Sequence, residues 1–347
     1  MHGPAIKDAA PTFAAKVDFL GRPEAYGLPG PVARHETHMS WVFLVGERAY
    51  KLKKPVRFPY LDFSTLAQRE AACRAELRLN RRLAPDVYLD VVALTENAGQ
   101  LLIGGEGTPV DWLVMMRRLD ERFMLDRIIE ERRLTSSDLD RLIDTLANFY
   151  RTARPVFVPP AVHIDRWVQN LAYNKRILLD PRFRIPAGLV QQIDMVQRRF
   201  LRLHGDRIAA RMRHRRIVDG HGDLRPEHIW LDDKVRIIDC LEFNPRLRIV
   251  DPFDEIAYLG LECERLGAAW VADYLLRRMK RLLRDGPADE LFTFYRCHRA
   301  MLRARLAIAH LFEPNPRTPE KWPRLAANYL ALAEKSARKL ARFLRTP

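Results

Sequence analysis

At 347 residues, with 48% hydrophobic and 30% charged side chains, the chain is long enough for two compact lobes, each with its own core, and its composition excludes a fibrous or disordered protein. A formal charge of +15 raises nucleic acid, an anionic membrane surface or an acidic small molecule as partners. The arginines, however, are spread along helical stretches such as 211–216 and 277–281 with no recognised binding module beside them, so specific nucleic-acid binding is not the expectation.

No apolar run is long enough to cross a bilayer, and the first twenty or so residues lack the basic start and continuous apolar core of a signal peptide, so a cytoplasmic protein is expected. Four scattered cysteines, Cys73, Cys240, Cys263 and Cys297, show no CxxC spacing; they read as small buried hydrophobes, not as a zinc site or a disulfide framework.

In chain order, an amphipathic helix over 13–20 is followed by a Gly- and Pro-rich loop to residue 30. Strands are expected over 32–38 and 41–45, with Thr37, His38 and Ser40 on the connection between them. Gly46-Glu47 then turns the chain into a strand over 48–54, on which Ala49, Lys51 and Lys53 share one face and Tyr50 and Leu52 the other. A helix over 65–83, with Ser64 as its N-cap, carries Glu70 and Glu76 as candidate partners for those lysines. An exposed edge strand protected by lysines would read the same way. Strands at 87–94 and 101–104 flank the turn Asn97-Ala98-Gly99, and an apolar strand over 111–116, ending in Met115 and Met116, becomes charged at Arg117.

Helical periodicity then dominates, over 124–131, 139–152 after a capping signal at Thr135, 164–179, 186–213, 255–266, 268–283, 290–312 and 319–345. Residues 221–242, HGDLRPEHIWLDDKVRIIDCLE, interrupt it. His221, Asp223, Glu227 and His228 sit on a polar loop; two β-like runs, 229–231 and 235–238, turn at Asp232-Asp233-Lys234 and lead to Asp239. Such a hairpin can bring Asp223 and Asp239, sixteen positions apart, to one end of a ribbon. Phosphoryl transfer needs a pair of this kind, one carboxylate to orient and deprotonate a hydroxyl and another to hold magnesium. An ordinary hairpin with surface acids has the same pattern.

HGD followed by a hairpin and an Ile-Asp pair resembles the catalytic segment of the aminoglycoside phosphotransferase and choline kinase group, relatives of the protein kinases. The SWVF strand at 40–43, the lysine-rich strand after it, LNRRLAPD at 79–86 and the run from HGDL to EFNP at 221–245 extend the resemblance over nearly all of residues 30–312. They point to a subgroup whose longer members continue into a P-loop domain, and no GxxxxGK[ST] motif occurs in this sequence.

The resemblance implies an α+β, bilobal protein-kinase-like fold: an N-terminal extension (1–30), a small antiparallel-sheet lobe (31–118) and a mostly helical lobe (119–347) containing the catalytic hairpin. It implies ATP, with Mg2+ or Mn2+, and transfer of the γ-phosphate to a hydroxyl of an unidentified small-molecule acceptor. Asp223 would orient that hydroxyl, His221 would shape the loop, Asp254 would brace it, and Asp239 would hold the metal. Lys51, with Lys53 as the alternative, would contact the phosphates and pair with Glu76. Thr37 and Ser40 would donate to the phosphates, and the backbone at Met115 and Met116 would hold the base.

His228 stands where the group usually has an Asn that binds a second metal ion, and imidazole is a poor magnesium ligand. His228 and Glu227 are the candidates for that position, a one-metal site is an option, and a catalytically impaired, nucleotide- or partner-binding pseudokinase is the alternative. Glu262 and Glu264 suit a cationic acceptor, whereas the net charge favours an anionic or neutral one.

Overall fold

The computed structural model describes residues 11–58, 60–313, 316 and 318–345. Residues 1–10 of the expected extension, and the leader reading that depends on them, lie outside the described residues. The chain divides into two units, the first running to Glu121 and including Arg236–Arg246, the second comprising Arg122–Val235 and the chain from Leu247 onward. The segment bearing Asp239 therefore belongs with the first unit, although the sequence reading placed it inside a continuous second lobe.

In the first unit α1 (Phe13–Leu20) precedes β1 (Ala33–Glu36), β2 (Ser40–Val45), β3 (Arg48–Lys53), a small ribbon of β4 (Arg57–Phe58) and β5 (Leu61–Asp62), then α2 (Leu66–Asn80), β6 (Tyr88–Asn97), β7 (Gln100–Ile103) and β8 (Thr108–Arg117). Six of these strands form one antiparallel sheet in the order β1-β2-β3-β8-β6-β7. Its two faces follow from the two-residue period of β3. Tyr50 and Leu52 pack with Val17 and Leu20 of α1 on one side, and Ala49 packs with Cys73 of α2 and Val114 of β8 on the other. Lys51 and Lys53 share the face of Ala49, and so point toward α2.

The β6–β7 turn is tight because Ala98 and Gly99 both take positive φ, 50° and 80°, as a two-residue hairpin loop requires. The N-cap of α2 is Thr65, not Ser64: Thr65 forms a reciprocal capping box with Gln68, while the Ser64 hydroxyl turns back to Asp62.

The second unit holds α3 (Leu125–Glu130), α4 (Ser136–Thr152), α5 (Pro160–Leu178), α6 (Ala187–Arg213), β9 (Val218–Asp219) and β10 (Ile229–Leu231). The chain passes from this unit into the first within β11 (Val235–Ile237). Then follow β12 (Ile249–Val250), α7 (Pro252–Arg265), α8 (Trp270–Leu283), α9 (Asp289–Ala309) and α10 (Lys321–Phe343). Helix α6, expected to be continuous, breaks at His204 (φ −131°), next to Gly205.

The core of this unit lies where α9 and α10 meet α6. Ala300, Ala304 and Ala307 face a cluster that includes Ala326, Ala333 and Ala337, small side chains that let helices approach closely. Antiparallel pairing of β9 with β12 sets the loop beginning at Gly220 beside the start of α7, which is what positions the site. No described helix is long and apolar enough to cross a membrane.

Candidate active site

In the first unit, β3, α2 and the segment after β11 converge on one charge cluster. Glu76 is fully buried beneath the lysine-bearing face. Lys51 Nζ lies 2.8 Å from Glu76 Oε1 and 2.8 Å from Asp239 Oδ1, and Lys53 Nζ lies 2.6 Å from Glu76 Oε2 and 2.5 Å from Glu242 Oε1. The surroundings of the two lysines differ. Lys53 is sealed between two carboxylates and 5.0 Å from the centre of the Phe63 ring, whereas Lys51 is 16% exposed and faces Asp239, whose side chain is 44% exposed.

Burial works to raise the Glu76 pKa, but Lys51 and Lys53 outweigh it and hold the carboxyl below its ordinary range. Burial likewise opposes the charge on Lys51, yet Asp239 and Glu76 keep its pKa well above the usual value. At Glu242 burial prevails and the pKa is pushed up.

Asp239 is held from several sides. Its N–H donates to the Tyr88 hydroxyl at 3.2 Å, the next N–H, of Cys240, donates to Asn80 Oδ1 at 2.9 Å, and Arg236 pairs with Asp86 at 2.9 Å. Its φ of 61° is uncommon for a side chain other than glycine, and such residues cluster where function over-determines the backbone. The hydroxyls of Thr37 and Ser40 lie 2.9 Å apart and close the β1–β2 turn, with Ser40 buried. Met116 sits on the α2 face of β8 and Met115 on the opposite one. Cys240 is buried, as the packing reading expects.

In the second unit the HGD loop is organised by Glu255 of α7. Its carboxylate accepts the N–H of His221 at 2.9 Å, the N–H of Gly222 and the Tyr150 hydroxyl at 2.8 Å. A Cβ on Gly220 would stand 2.6 Å from Glu255 Oε2 and 2.7 Å from Val250, and Gly222 has φ 89°, so the close approach depends on both glycines. Asp254, expected to brace the loop, is instead gripped by Arg299 at 2.8 and 2.6 Å. Adjacent residues on a helix point about 100° apart, and only Glu255 faces the loop.

Buried His221 accepts the Asp223 N–H on Nδ1 at 3.3 Å. Asp223 Oδ1 accepts from the Tyr258 hydroxyl at 3.0 Å and Oδ2 from Arg225 Nε at 3.0 Å. Burial opposes ionisation of Asp223, but Arg225, then His228, Arg303 and His221, hold its pKa down at about 2.

His228 Nε2 lies 2.9 Å from Arg225 Nη2, and its Nδ1 lies 2.9 Å from the Asp223 carbonyl oxygen. A guanidinium only donates, so Nε2 accepts and the ring proton is on Nδ1. A metal at His228 would require Arg225 to let go. Glu227 Oε1 faces Arg265 at 3.4 Å, and its Oε2 is buried without a partner among the described residues. Asp239, an exposed hard oxygen donor, fits a magnesium ion; the His228 position offers no open lone pair for a second. Glu242, Glu255, Tyr88, Arg225 and Tyr258 were not assigned these contacts from the sequence. Only Glu242 at the start of EFNP and the DE pair at 254–255 signalled any of them.

No family model matches the chain. Proteins of Mycobacterium bovis and Mycobacterium tuberculosis, described only as uncharacterized, are 32% identical to it over 288 residues, covering 81% of this chain and 55% of theirs. The chain thus spans about half the length of these curated relatives. Among solved structures, a choline/ethanolamine kinase family protein from Mesorhizobium loti superposes with a TM-score of 0.55 at 16% identity, covering 96% of this chain and 97% of that one. The GDP complex of aminoglycoside 2'-phosphotransferase-IIIa gives 0.52 at 15% identity, with 94% and 98% covered. The chain has the fold of the choline kinases and aminoglycoside phosphotransferases. Choline kinase from Cryptosporidium parvum adds a third likeness, TM-score 0.54 at 9% identity over 96% of both chains. At these identities the likeness is one of fold, and the chemistry rests on the side chains described above.

Proposed function

We propose that the protein is an ATP-dependent phosphotransferase that moves the γ-phosphoryl group to a hydroxyl of a small molecule, with Mg2+ as its cofactor. One observation carries the reading: Lys51 contacts both Glu76 and Asp239 at 2.8 Å, so a strand lysine, a helix glutamate and an accessible aspartate form one unit. Kinases of this architecture use such a lysine–glutamate pair on the nucleotide phosphates and such an aspartate on the metal. Mg2+ would be held at Asp239 and would supply charge neutralisation to the phosphates. Lys51, kept cationic by its two carboxylates, binds phosphate oxygens, with Glu76 fixing its direction.

Asp223 accepts the hydrogen bond of the acceptor hydroxyl and aims it at phosphorus. Its low pKa keeps it ionised at neutral pH and suits it to orienting the hydroxyl and taking its proton late, as the new O–P bond forms and the bond to ADP breaks. Titration of ATP with and without Mg2+ or Mn2+ tests the site. Metal-dependent binding is expected in the wild type and its loss in Asp239→Ala. Asp223→Ala is expected to lower kcat by about 100-fold or more while leaving nucleotide affinity within about twofold. Turnover that survives Asp223→Ala overturns the assignment. The GDP complex of one fold relative makes GTP a second donor to test.

The engaged ring of His228 favours a second reading, a pseudokinase retained for nucleotide or partner binding. It expects ATP binding with no turnover across a broad acceptor screen.

A further inference from the structure

We infer that the acceptor carries an oxyanion, a carboxylate or a phosphate, near the hydroxyl that is phosphorylated; this rests on the phosphotransferase reading and deepens it. The observations all lie in the second unit, around Asp223. Three carboxylates and three guanidiniums alternate there. Arg225 Nε lies 3.0 Å from Asp223, Arg265 Nη2 lies 3.4 Å from Glu227, Arg265 Nε lies 2.8 Å from Glu262, and Arg303 Nε lies 2.8 Å from the other oxygen of Glu262. Arg303 is near enough for its charge to act on both Asp223 and Arg225.

Within this cluster the acceptors are engaged by protein donors or buried, although Asp223 and Glu227 are 24 and 30% exposed. Glu262 is fully buried between two guanidiniums and the Tyr329 hydroxyl, which is 2.8 Å from each of its oxygens. Asp223 is held by Arg225 and Tyr258, and the second oxygen of Glu227 is closed off from solvent. The neighbouring acids are engaged as well, Asp254 by Arg299 and Glu255 by the HGD loop. Glu264, which the sequence offered to a cationic acceptor together with Glu262, is taken by Arg296 and by Lys335 at 2.6 Å.

The donors have capacity left over. Arg225, Arg265 and Arg303 bind protein groups through Nε and Nη2, and for none of the three does Nη1 have a partner among the described residues. These Nη1 atoms are not among the buried unpartnered ones, and the side chains are 20, 18 and 16% exposed. Each Nη1 carries two N–H donors that diverge in the guanidinium plane, and oxyanion oxygens are their natural partners.

The cluster is electrically balanced, so its preference comes from the hydrogen-bonding capacity left unused. Beyond Asp223, which the hydroxyl needs, a cationic acceptor would find only Glu227, 30% exposed and already facing Arg265 at 3.4 Å, and it would face three guanidiniums. An oxyanion finds unused donors and relieves the repulsion between Arg225 and Arg303.

The test uses the full chain loaded with ATP and Mg2+ and two matched acceptor series: glycerol, glycerate, glycerol 3-phosphate and ethanolamine; and glucose, glucuronate, glucose 6-phosphate and glucosamine. ADP formation and calorimetric affinity are read for each. In at least one series the oxyanion members should exceed the neutral and cationic members by about tenfold or more in kcat/KM or affinity, and the better of the two shows whether carboxylate or phosphate is preferred. Arg303→Gln should remove most of that preference, Arg303→Lys should keep part of it, and ATP affinity should stay within about twofold in both.

Preference for the neutral or cationic members, binding of no oxyanion in either series, or discrimination unchanged in Arg303→Gln overturns the proposal while leaving ATP binding intact. Absence of ATP binding in the wild type overturns the phosphotransferase reading, and this proposal with it. Because Arg303 also pairs with Glu262, thermal unfolding is recorded for each variant, and Arg265→Gln takes its place if Arg303→Gln does not fold.

Discussion

Lys53 and Lys51 are two residues apart on one strand face and pair with the same carboxylate, yet substitution should separate them. Removing the Lys53 ammonium takes away the ion-pair partner of Glu242 and leaves Glu76 paired with Lys51 alone, all within a buried cluster. Lys53→Met is therefore expected to cost about 3–5 kcal/mol of stability, read as a lower urea midpoint at unchanged slope. Lys51→Met keeps the Lys53–Glu76 pair and releases an exposed Asp239, so its stability cost should be clearly smaller, while nucleotide affinity falls about tenfold or more by calorimetry. Equal destabilisation by the two substitutions would contradict the distinction drawn between a sealed and an accessible lysine.

Helices α5 and α9 meet through rings: Trp167 of α5 lies 4.7 Å from His298 and 5.2 Å from Phe294 of α9, centre to centre, and 6.0 Å from His163 on its own helix. Nδ1 of both histidines and Nε1 of Trp167 are buried without a partner among the described residues. Burial first, then Arg166, lowers the His163 pKa from 6.5 to about 4, and burial with Arg299 and Arg305 lowers that of His298 to about 3. The unfolded chain takes up protons below about 6.5 and the folded chain does not until these lower values. Stability should therefore be complete above pH 6.5 and fall as the pH drops toward 4. At pH 5 the loss is about 2 kcal/mol per histidine. Urea titrations at pH 8 and pH 5 measure it, and His298→Phe should remove about half of the difference. A difference unchanged by that substitution would locate the pH dependence elsewhere.

For the molecule as a whole, part of the basic complement is neutralised by internal acids, as Arg69 pairs with Asp111 at 2.7 Å and Arg211 with Asp251 at 2.6 Å, and an excess of +15 is left over. A general electrostatic attraction to polyanions remains. Binding to duplex DNA or heparin should fall steeply between about 50 and 200 mM salt and show no sequence preference. Salt-resistant, sequence-selective binding measured by fluorescence anisotropy would reopen nucleic acid as a partner.

Much of the architecture was legible because it is local. The two-residue period of β3 gave its two faces, the capping signal at Thr135 gave the start of α4, and the three- and four-residue spacing gave the helices of the second unit. The run HGDLRPEH fixed by itself the order of His221, Asp223, Glu227 and His228 along the loop. What it left open depends on partners far away in sequence. The cap of α2 moved by one residue because Gln68 completes a box only with Thr65. The brace of the HGD loop moved from Asp254 to Glu255 because the rotation of α7 against that loop decides which acid faces it. The sequence by itself determined that Lys51 and Lys53 share a strand face; only the tertiary structure decided that Lys53 is sealed against Glu242, 189 positions away, and that Lys51 is left accessible. The physical reason is that periodicity is set by backbone geometry, whereas burial and charge pairing are set by which distant segments pack together.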